Sequence, residues 1–385
     1  MQLRADWNYP TSVRFGSGRI AELAEVVNAG GIARPLFVTD PNLARLPMVA
    51  DALWSLRATG ISTELFSDIQ PNPVEANIVA GVAAFRAGGH DGVIAFGGGS
   101  ALDAGKLIAF MTAQVRPVWD FEDVGDWWTR ANTQGIAPVV AVPTTAGTGS
   151  EVGRAAVVTN EATHTKKIIF HPRMMPKITI CDAELTLGMP PAITAGTGMD
   201  ALAHCLEAYC GAFYHPLADG IAAEGVRLVK ENLAHAVKDG SDIEARSHMM
   251  AAAAMGATAF QKGLGAIHAL SHPVGALYDT HHGMTNAVFM PYVLMFNRPL
   301  IEDRIKRLAA YIGLRPTFRA FLDWVLSLRA AISVPHTLAG LKVDDAQIAR
   351  IVAMAVEDPT AGGNPRPFEK RAARTVFKRA LEGRL

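Results

Sequence analysis

The chain has 385 residues, half of them hydrophobic, with 35 glycines and 22 prolines, which is enough to bury a full core and too long for one ordinary domain. Lys plus Arg and Asp plus Glu both total 36, so there is no basic field for nucleic acid and no acidic tail. Cys181, Cys205 and Cys210 make no C-x-x-C pair, which excludes a disulfide framework and a thiolate metal cage and leaves buried, reduced thiols as the expectation.

The opening MQLRADWNYP lacks the apolar core of a signal peptide, and no stretch of about 18 uncharged apolar residues occurs, so a soluble cytoplasmic protein without membrane partners is expected. Five short apolar or β-branched runs then follow in chain order, at 35–40, 63–68, 92–96, 138–143 and 178–182, alternating with helical stretches. That rhythm predicts a parallel sheet covered by helices, with ligands bound at the carboxyl ends of its strands. Beyond about residue 188 strand signals fade and Ala- and Leu-rich helical spacing runs to the end. Met189, Pro190 and Pro191 mark the boundary, giving an α/β domain over 1–188 and an all-helical domain over 189–385.

Asp40, at the end of the first run, can accept hydrogen bonds from an adenosine ribose and repel a 2′-phosphate, which favours NAD over NADP. The turn Asp40, Pro41, Asn42 explains the same residue equally well. The run at 92–96 leads into GGGSALDAGK over 97–106. Gly97, Gly98 and Gly99 let backbone approach a phosphate, and Ser100 with Asp103 reads as a capping box opening a helix whose free N–H groups bind an anion. Leu102 breaks a dinucleotide fingerprint counted from Gly97, and Ser100 and Leu107 break a phosphate-loop motif ending at Lys106. A second loop, PTTAGTGSEV over 143–152, sets Thr144, Thr145, Thr148 and Ser150 among two glycines and can hold pyrophosphate or ribose. Trp119, Trp127 and Trp128 read best as a packed loop.

Asp200 and His204 lie four apart on a predicted helix and so share one face. His268 and His272 repeat that spacing, and His281 and His282 follow. Burying five such imidazoles in apolar, glycine-flanked stretches is costly without partners, and a shared ion removes the cost. One carboxylate with three imidazoles suits Fe(II) or Zn(II) and leaves positions open for substrate. Spacing alone does not separate His268 from His272, or His281 from His282.

These residues resemble the iron-containing, or group III, alcohol dehydrogenases, over a span from Tyr9 and Pro10 to Asn364, Pro365 and Arg366. The most specific blocks are GGGSALDAGK with PTTAGTGSEV, and GMDALAHCLEAY with HALSHPVGALYDTHHG. The resemblance implies the dehydroquinate synthase-like fold and a metal held by Asp200, His204, His268 and His282, with His272 near the reacting carbon but not on the metal. It also implies a pyrophosphate loop at Gly97, Gly98, Gly99 and Ser100, nicotinamide-side contacts at Asp103, Thr144, Thr145 and Thr148, a cofactor-binding Lys166, and a homodimer or larger assembly paired through the strand near 9–15.

The implied activity is reversible hydride transfer between a primary or secondary alcohol, including hydroxy acids and diols, and NAD. The metal acidifies the hydroxyl, and the proton leaves through His272 or a water chain. His281 stands where many relatives carry proline. Arg154 would suit a substrate carboxylate if it reached the site, although a surface arginine is the preferred reading. Two alternatives share the fold: a non-redox lyase of the dehydroquinate synthase type, and a non-catalytic metal-binding scaffold. The lyase needs cations around its phosphorylated substrate, and 200–211 and 265–283 contain no Lys or Arg. Intact loops argue against the scaffold.

Overall fold

The computed structural model describes residues 11–163 and 165–385. Its compact units divide between Leu187 and Gly188, except that Ala146–Thr148 groups with the helical unit. Tyr9 and Pro10, the start of the strand expected to pair subunits, lie outside the described residues.

The α/β unit carries strands β1 (Ser12–Phe15), β2 (Pro35–Val38), β3 (Glu64–Phe66), β4 (Gly92–Gly97), β5 (Val139–Pro143), β6 (Ala155–Asn160), β7 (Thr165–Phe170) and β8 (Ile178–Cys181). Its helices are α1 (Leu23–Ala29), α2 (Pro47–Ala58), α3 (Glu75–Ala87) and α4 (Gly99–Met111). Six strands form one sheet in the order β1-β8-β5-β4-β2-β3, with every pair parallel. The five predicted runs are β2, β3, β4, β5 and β8. Strand β1 at one edge lies within the strand that the resemblance implied near 9–15 but is not marked by an apolar run, and the antiparallel β6–β7 hairpin was not expected.

The central strands are apolar throughout because both faces are covered. Leu36, Val38, Val93, Ala95, Val139 and Ala141 pack into one core, while Phe37, Ile94, Phe96, Val140 and Val142 pack into the other. Each large side chain so buried contributes roughly 1.5–3 kcal/mol, and the pleat alternation fixes which face it reaches. The chain leaves β2 toward β3 but β4 toward β5, so the crevice between the ends of β2 and β4 is a topological switch point.

The second unit contains α5 (Pro191–Cys210), α6 (Pro216–Lys238), α7 (Ile243–Ala259), α8 (Ala266–Tyr278), α9 (His282–Tyr311), α10 (Phe318–Ala331), α11 (Ile348–Glu357) and α12 (Lys370–Glu382), and no strand among its described residues. Helix α5 is buried almost all round, packed by α6, α7 and α9. No helix among the described residues is long and apolar enough to cross a membrane.

Beneath the second glycine-rich loop lies a buried polar group of the α/β unit. Lys106 donates to the carbonyls of Ser150 and Ala155 and pairs with Asp103 at 3.2 Å. Glu151 beside it is buried, and that burial pushes its carboxyl up to about 7 from 4.5. The folded chain therefore holds this proton more tightly than the unfolded chain, so stability falls as pH rises from about 4.5 to about 7. Glu151→Gln should remove the fall, raising stability at about pH 8 by on the order of 1–3 kcal/mol and leaving it little changed at about pH 5. Thermal unfolding at the two pH values measures this, and equal shifts at both would contradict it.

Candidate metal centre

Helix α5 sets Asp200 and His204 one turn apart and buries both. Helix α8 brings His268 alongside, its ring stacked on that of His204 at 4.8 Å and 12°. The first residue of α9, His282, completes the group. It can descend onto Asp200 only because the next residue is glycine: a Cβ on Gly283 would lie 2.0 Å from the Gly196 carbonyl oxygen. His281 is turned to another task, capping α9 by accepting the Met284 N–H on Nδ1.

The Oδ1 of Asp200 lies 3.8 Å from His204 Nε2, 3.7 Å from His268 Nε2 and 3.5 Å from His282 Nε2. Ligand bonds of about 2.1 Å at tetrahedral angles put donor atoms about 3.4 Å apart, close to these separations, and Asp200, His204 and His268 have ligand atoms near enough to one another to hold one ion. Asn286, one turn along α9 from His282 and fully buried, donates Nδ2 to Asp200 Oδ1 at 2.7 Å and stands 3.1 Å from both His268 Nε2 and His282 Nε2. Its Oδ1 is buried with no hydrogen-bond partner among the described residues, a polar debt that these leave open.

The charges are consistent with a cation-binding group. Burial pushes Asp200 up, yet His204, His282 and His268 outweigh it and hold the carboxyl far below its ordinary range. Burial depresses His204 and favours the neutral imidazole that a metal needs. For His268 burial also acts downward, but hydrogen bonding to Asp200 and Glu207 raises it. Glu207 Oε2 lies 2.6 Å from His268 Nδ1, and its Oε1 accepts the Ile267 N–H at 2.6 Å. One buried carboxylate thus anchors the start of α8 and turns His268 Nε2 toward Asp200. Sequence reasoning missed Glu207 and Asn286. Their signals were available, since Glu207 continues the face of Asp200 and His204 at the next helical step and Asn286 lies four after His282.

His272, one turn beyond His268, stacks on His282 at 5.4 Å but pairs through Nδ1 with Asp358 at 2.8 Å.

In the α/β unit the nucleotide loops lie side by side at the carboxyl ends of adjacent strands. Gly97 opposes Pro143, and the Thr144 N–H donates to the Gly97 carbonyl at 3.0 Å. Gly97 has φ +147, and a Cβ there would lie 2.8 Å from that of Ala101, so only glycine admits this entry into α4. The expected capping box is not formed. Three glycines let the helix begin earlier, with Gly98 as cap, while Ser100 Oγ bonds the Pro71 carbonyl and Asp103 accepts from Ser150 Oγ and the Val157 N–H. Gly99 opens the helix, and Thr145 follows Thr144 against Gly98. Asp40 Oδ1 accepts the Asn42 and Leu43 N–H groups, so the turn reading of that residue is realised at the switch point. Lys166 lies half-buried on β7, and Thr148 belongs to the segment grouped with the helical unit.

Arg154 is not a surface residue. It is half-buried with its guanidinium 5.3 Å over the Phe170 ring. Of the tryptophans, Trp119 donates to Glu75 at 2.8 Å, Trp127 carries Arg130 at 4.1 Å, and Trp128 meets Phe170 edge-on but stays 37% exposed.

A parallel sheet with glycine loops at a switch point, joined to a helical unit that gathers a carboxylate and imidazoles, is the make-up of a metal-assisted dehydrogenase. The description "Iron-containing alcohol dehydrogenase" matches residues 10–183 and "Fe-containing alcohol dehydrogenase family, C-terminal" matches 194–381. The chain belongs to the iron-containing alcohol dehydrogenase family, and it is an oxidoreductase acting on alcohols. It is 36% identical to the 4-hydroxybutyrate dehydrogenase of Cupriavidus necator, covering 97% of this chain and 98% of that one. Among solved structures, a 1,3-propanediol oxidoreductase superposes with a TM-score of 0.93 at 33% identity, covering 98% of this chain and all of its own. The sulfoacetaldehyde reductase of Bifidobacterium kashiwanohense, solved with NAD⁺, gives 0.87 at 29% identity, covering 98% of this chain and 99% of its own.

If Glu207 orients His268, Glu207→Gln should weaken divalent-metal affinity by about 10- to 100-fold while leaving the metal-free protein folded. Chelator competition gives the affinity and circular dichroism the fold. Unchanged affinity would show that the pair serves only to anchor α8.

Proposed function

We propose that the chain interconverts a small primary or secondary alcohol and its aldehyde or ketone, using NAD and one divalent metal held by Asp200, His204, His268 and His282. The observation that carries this reading is the convergence of three imidazole nitrogens on one buried carboxylate oxygen at metal-ligand spacing. Iron is favoured by the family and zinc fits the same donors. NAD rather than NADP is supported by Asp40 at the switch point and by the NAD⁺ bound in the sulfoacetaldehyde reductase. Gly97, Gly98, Gly99 and Ser100 would take the pyrophosphate, with Asp103, Thr144, Thr145, Thr148 and Lys166 as further cofactor contacts.

Bound there, a divalent cation supplies Lewis acidity to the alcohol oxygen. NAD supplies the hydride acceptor. The chain's own groups do the rest. Asp200 brings the one negative charge, and burial of Asp200, His204 and His268 keeps water from competing for them. His272 receives the hydroxyl proton.

Relatives acting on 4-hydroxybutyrate, 1,3-propanediol and sulfoacetaldehyde support a short substrate with a second polar or anionic end. A cytoplasmic setting fits the three buried free thiols. A homo-oligomer is supported by β1, an edge strand that exposes Val13 and Phe15.

The test is metal analysis of the purified protein followed by NADH absorbance with a panel of hydroxy acids, diols and simple alcohols. Asp200→Ala and His268→Ala should each lose both bound metal and turnover while retaining helical content. Full activity in a metal-free preparation would overturn the reading.

A further inference from the structure

The two histidines on α8 look alike in sequence, yet each is backed by a different carboxylate. Glu207 serves His268, and Asp358, in the turn after α11, serves His272. Asp358 is held on both sides. Its Oδ1 accepts the N–H and Oγ of Thr360, which caps the short helix Pro359–Gly363, and its Oδ2 is left for His272 Nδ1 at 2.8 Å. The side chain is 7% exposed. Burial pushes its carboxyl up, but His272 and the Thr360 hydrogen bonds outweigh burial and keep it ionised.

An ionised carboxylate only accepts hydrogen bonds, so the nitrogen facing it must carry the proton. His272 is therefore the Nδ1–H form, with its lone pair on Nε2. That nitrogen has no hydrogen-bond partner among the described residues, and the side chain keeps 12% exposure. The ring stacks on His282 and meets His268 edge-on at 5.9 Å, which sets this open acceptor beside the candidate ligands.

We propose that Asp358 is a positioning residue that locks the tautomer and orientation of His272, so that Nε2 is the acceptor for the substrate hydroxyl proton. The inference rests on the proposed alcohol oxidation. In that step the O–H bond breaks as Nε2–H forms, and the C–H electron pair leaves as hydride to NAD, which is reduced. The arrangement follows the logic by which a buried aspartate holds a histidine as base in serine hydrolases.

Asp358→Asn separates this role from the cap. The amide oxygen can still accept from Thr360, whereas the amide nitrogen, now a donor, forces Nδ1 to accept and moves the proton to Nε2. The expected result is a kcat lowered by about 100-fold or more, with KM and metal content unchanged. In zinc-loaded protein the ¹⁵N spectrum of the His272 ring should change from the Nδ1–H to the Nε2–H pattern. Thr360→Ala, which removes the hydroxyl bond to Oδ1 and leaves the Oδ2 to Nδ1 pair, should keep the Nδ1–H pattern. For a variant independent of Asp358, His272→Ala should lose turnover and regain part of it with added imidazole.

A kcat for Asp358→Asn within about twofold of the parent would overturn the proposal, because a proton-transfer group contributes about 10²–10⁴. An unchanged ¹⁵N pattern would do the same. A parent enzyme that binds metal yet oxidises no alcohol would instead sink the reading of function on which the proposal stands.

Discussion

A carboxylate buried in apolar surroundings must be compensated or neutralised, and in the helical unit that requirement falls on Asp200. It sits on a helix buried almost all round, whose flanking residues are mostly alanine, leucine, methionine and cysteine. Three helices answer the demand by bringing imidazoles from α5, α8 and α9 to one oxygen. The packing is arranged around that convergence. Removing the side chain at 283 lets α9 press against the backbone of α5, and Asn286 one turn later fills the remaining edge. The same crowding leaves too few donors for the acceptors present, as the unpartnered Oδ1 of Asn286 records. The group is well placed for a cation and poorly satisfied without one.

The α/β unit solves a different problem with similar economy. The central strands β2, β4 and β5, buried on both faces, contribute no polar side chains of their own, so binding chemistry falls to the loops at their carboxyl ends. Register then matters. Because Gly97 opposes Pro143 across β4 and β5, the two glycine-rich loops are tied by one backbone hydrogen bond. The buried Lys106 fastens the residues after the second loop to α4 through the carbonyls of Ser150 and Ala155. Asp103, expected to face a cofactor, is drawn into that same fastening by Ser150 and Val157, which makes it a support for the loop geometry as the structure stands.

Much of this was legible in the residues. Short apolar or β-branched runs located five parallel strands, and a spacing of four placed Asp200 with His204. Strands β1, β6 and β7, which no apolar run marked, are less buried than the central strands. β1 exposes Val13 and Phe15, and β7 is half-buried along most of its length. The capping box failed because Ser100 and Asp103 match its spacing while the glycines before them allow the helix to start earlier. Arg154 was misjudged because an arginine can bury its guanidinium face against an aromatic ring, a contact invisible without β7 folded beside it.

The deeper limit concerns His268 and His272, and His281 and His282. Each pair consists of identical side chains with equal local propensity, so nothing short-range can tell them apart. Tertiary partners do. Helix α9 begins at 282, which commits His281 to the cap and His282 to the inner face. On α8 the distinction is made by carboxylates 61 and 86 residues away in sequence. Glu207 reaches from the same helix face as Asp200 and belongs to the metal group, whereas Asp358 arrives from the far end of the unit beside Thr360. Two imidazoles one turn apart are thereby given different surroundings on their Nδ1 sides. The chemistry open to each Nε2 follows from that: the one on His268 faces Asp200 and Asn286, while the one on His272 is left open to a proton.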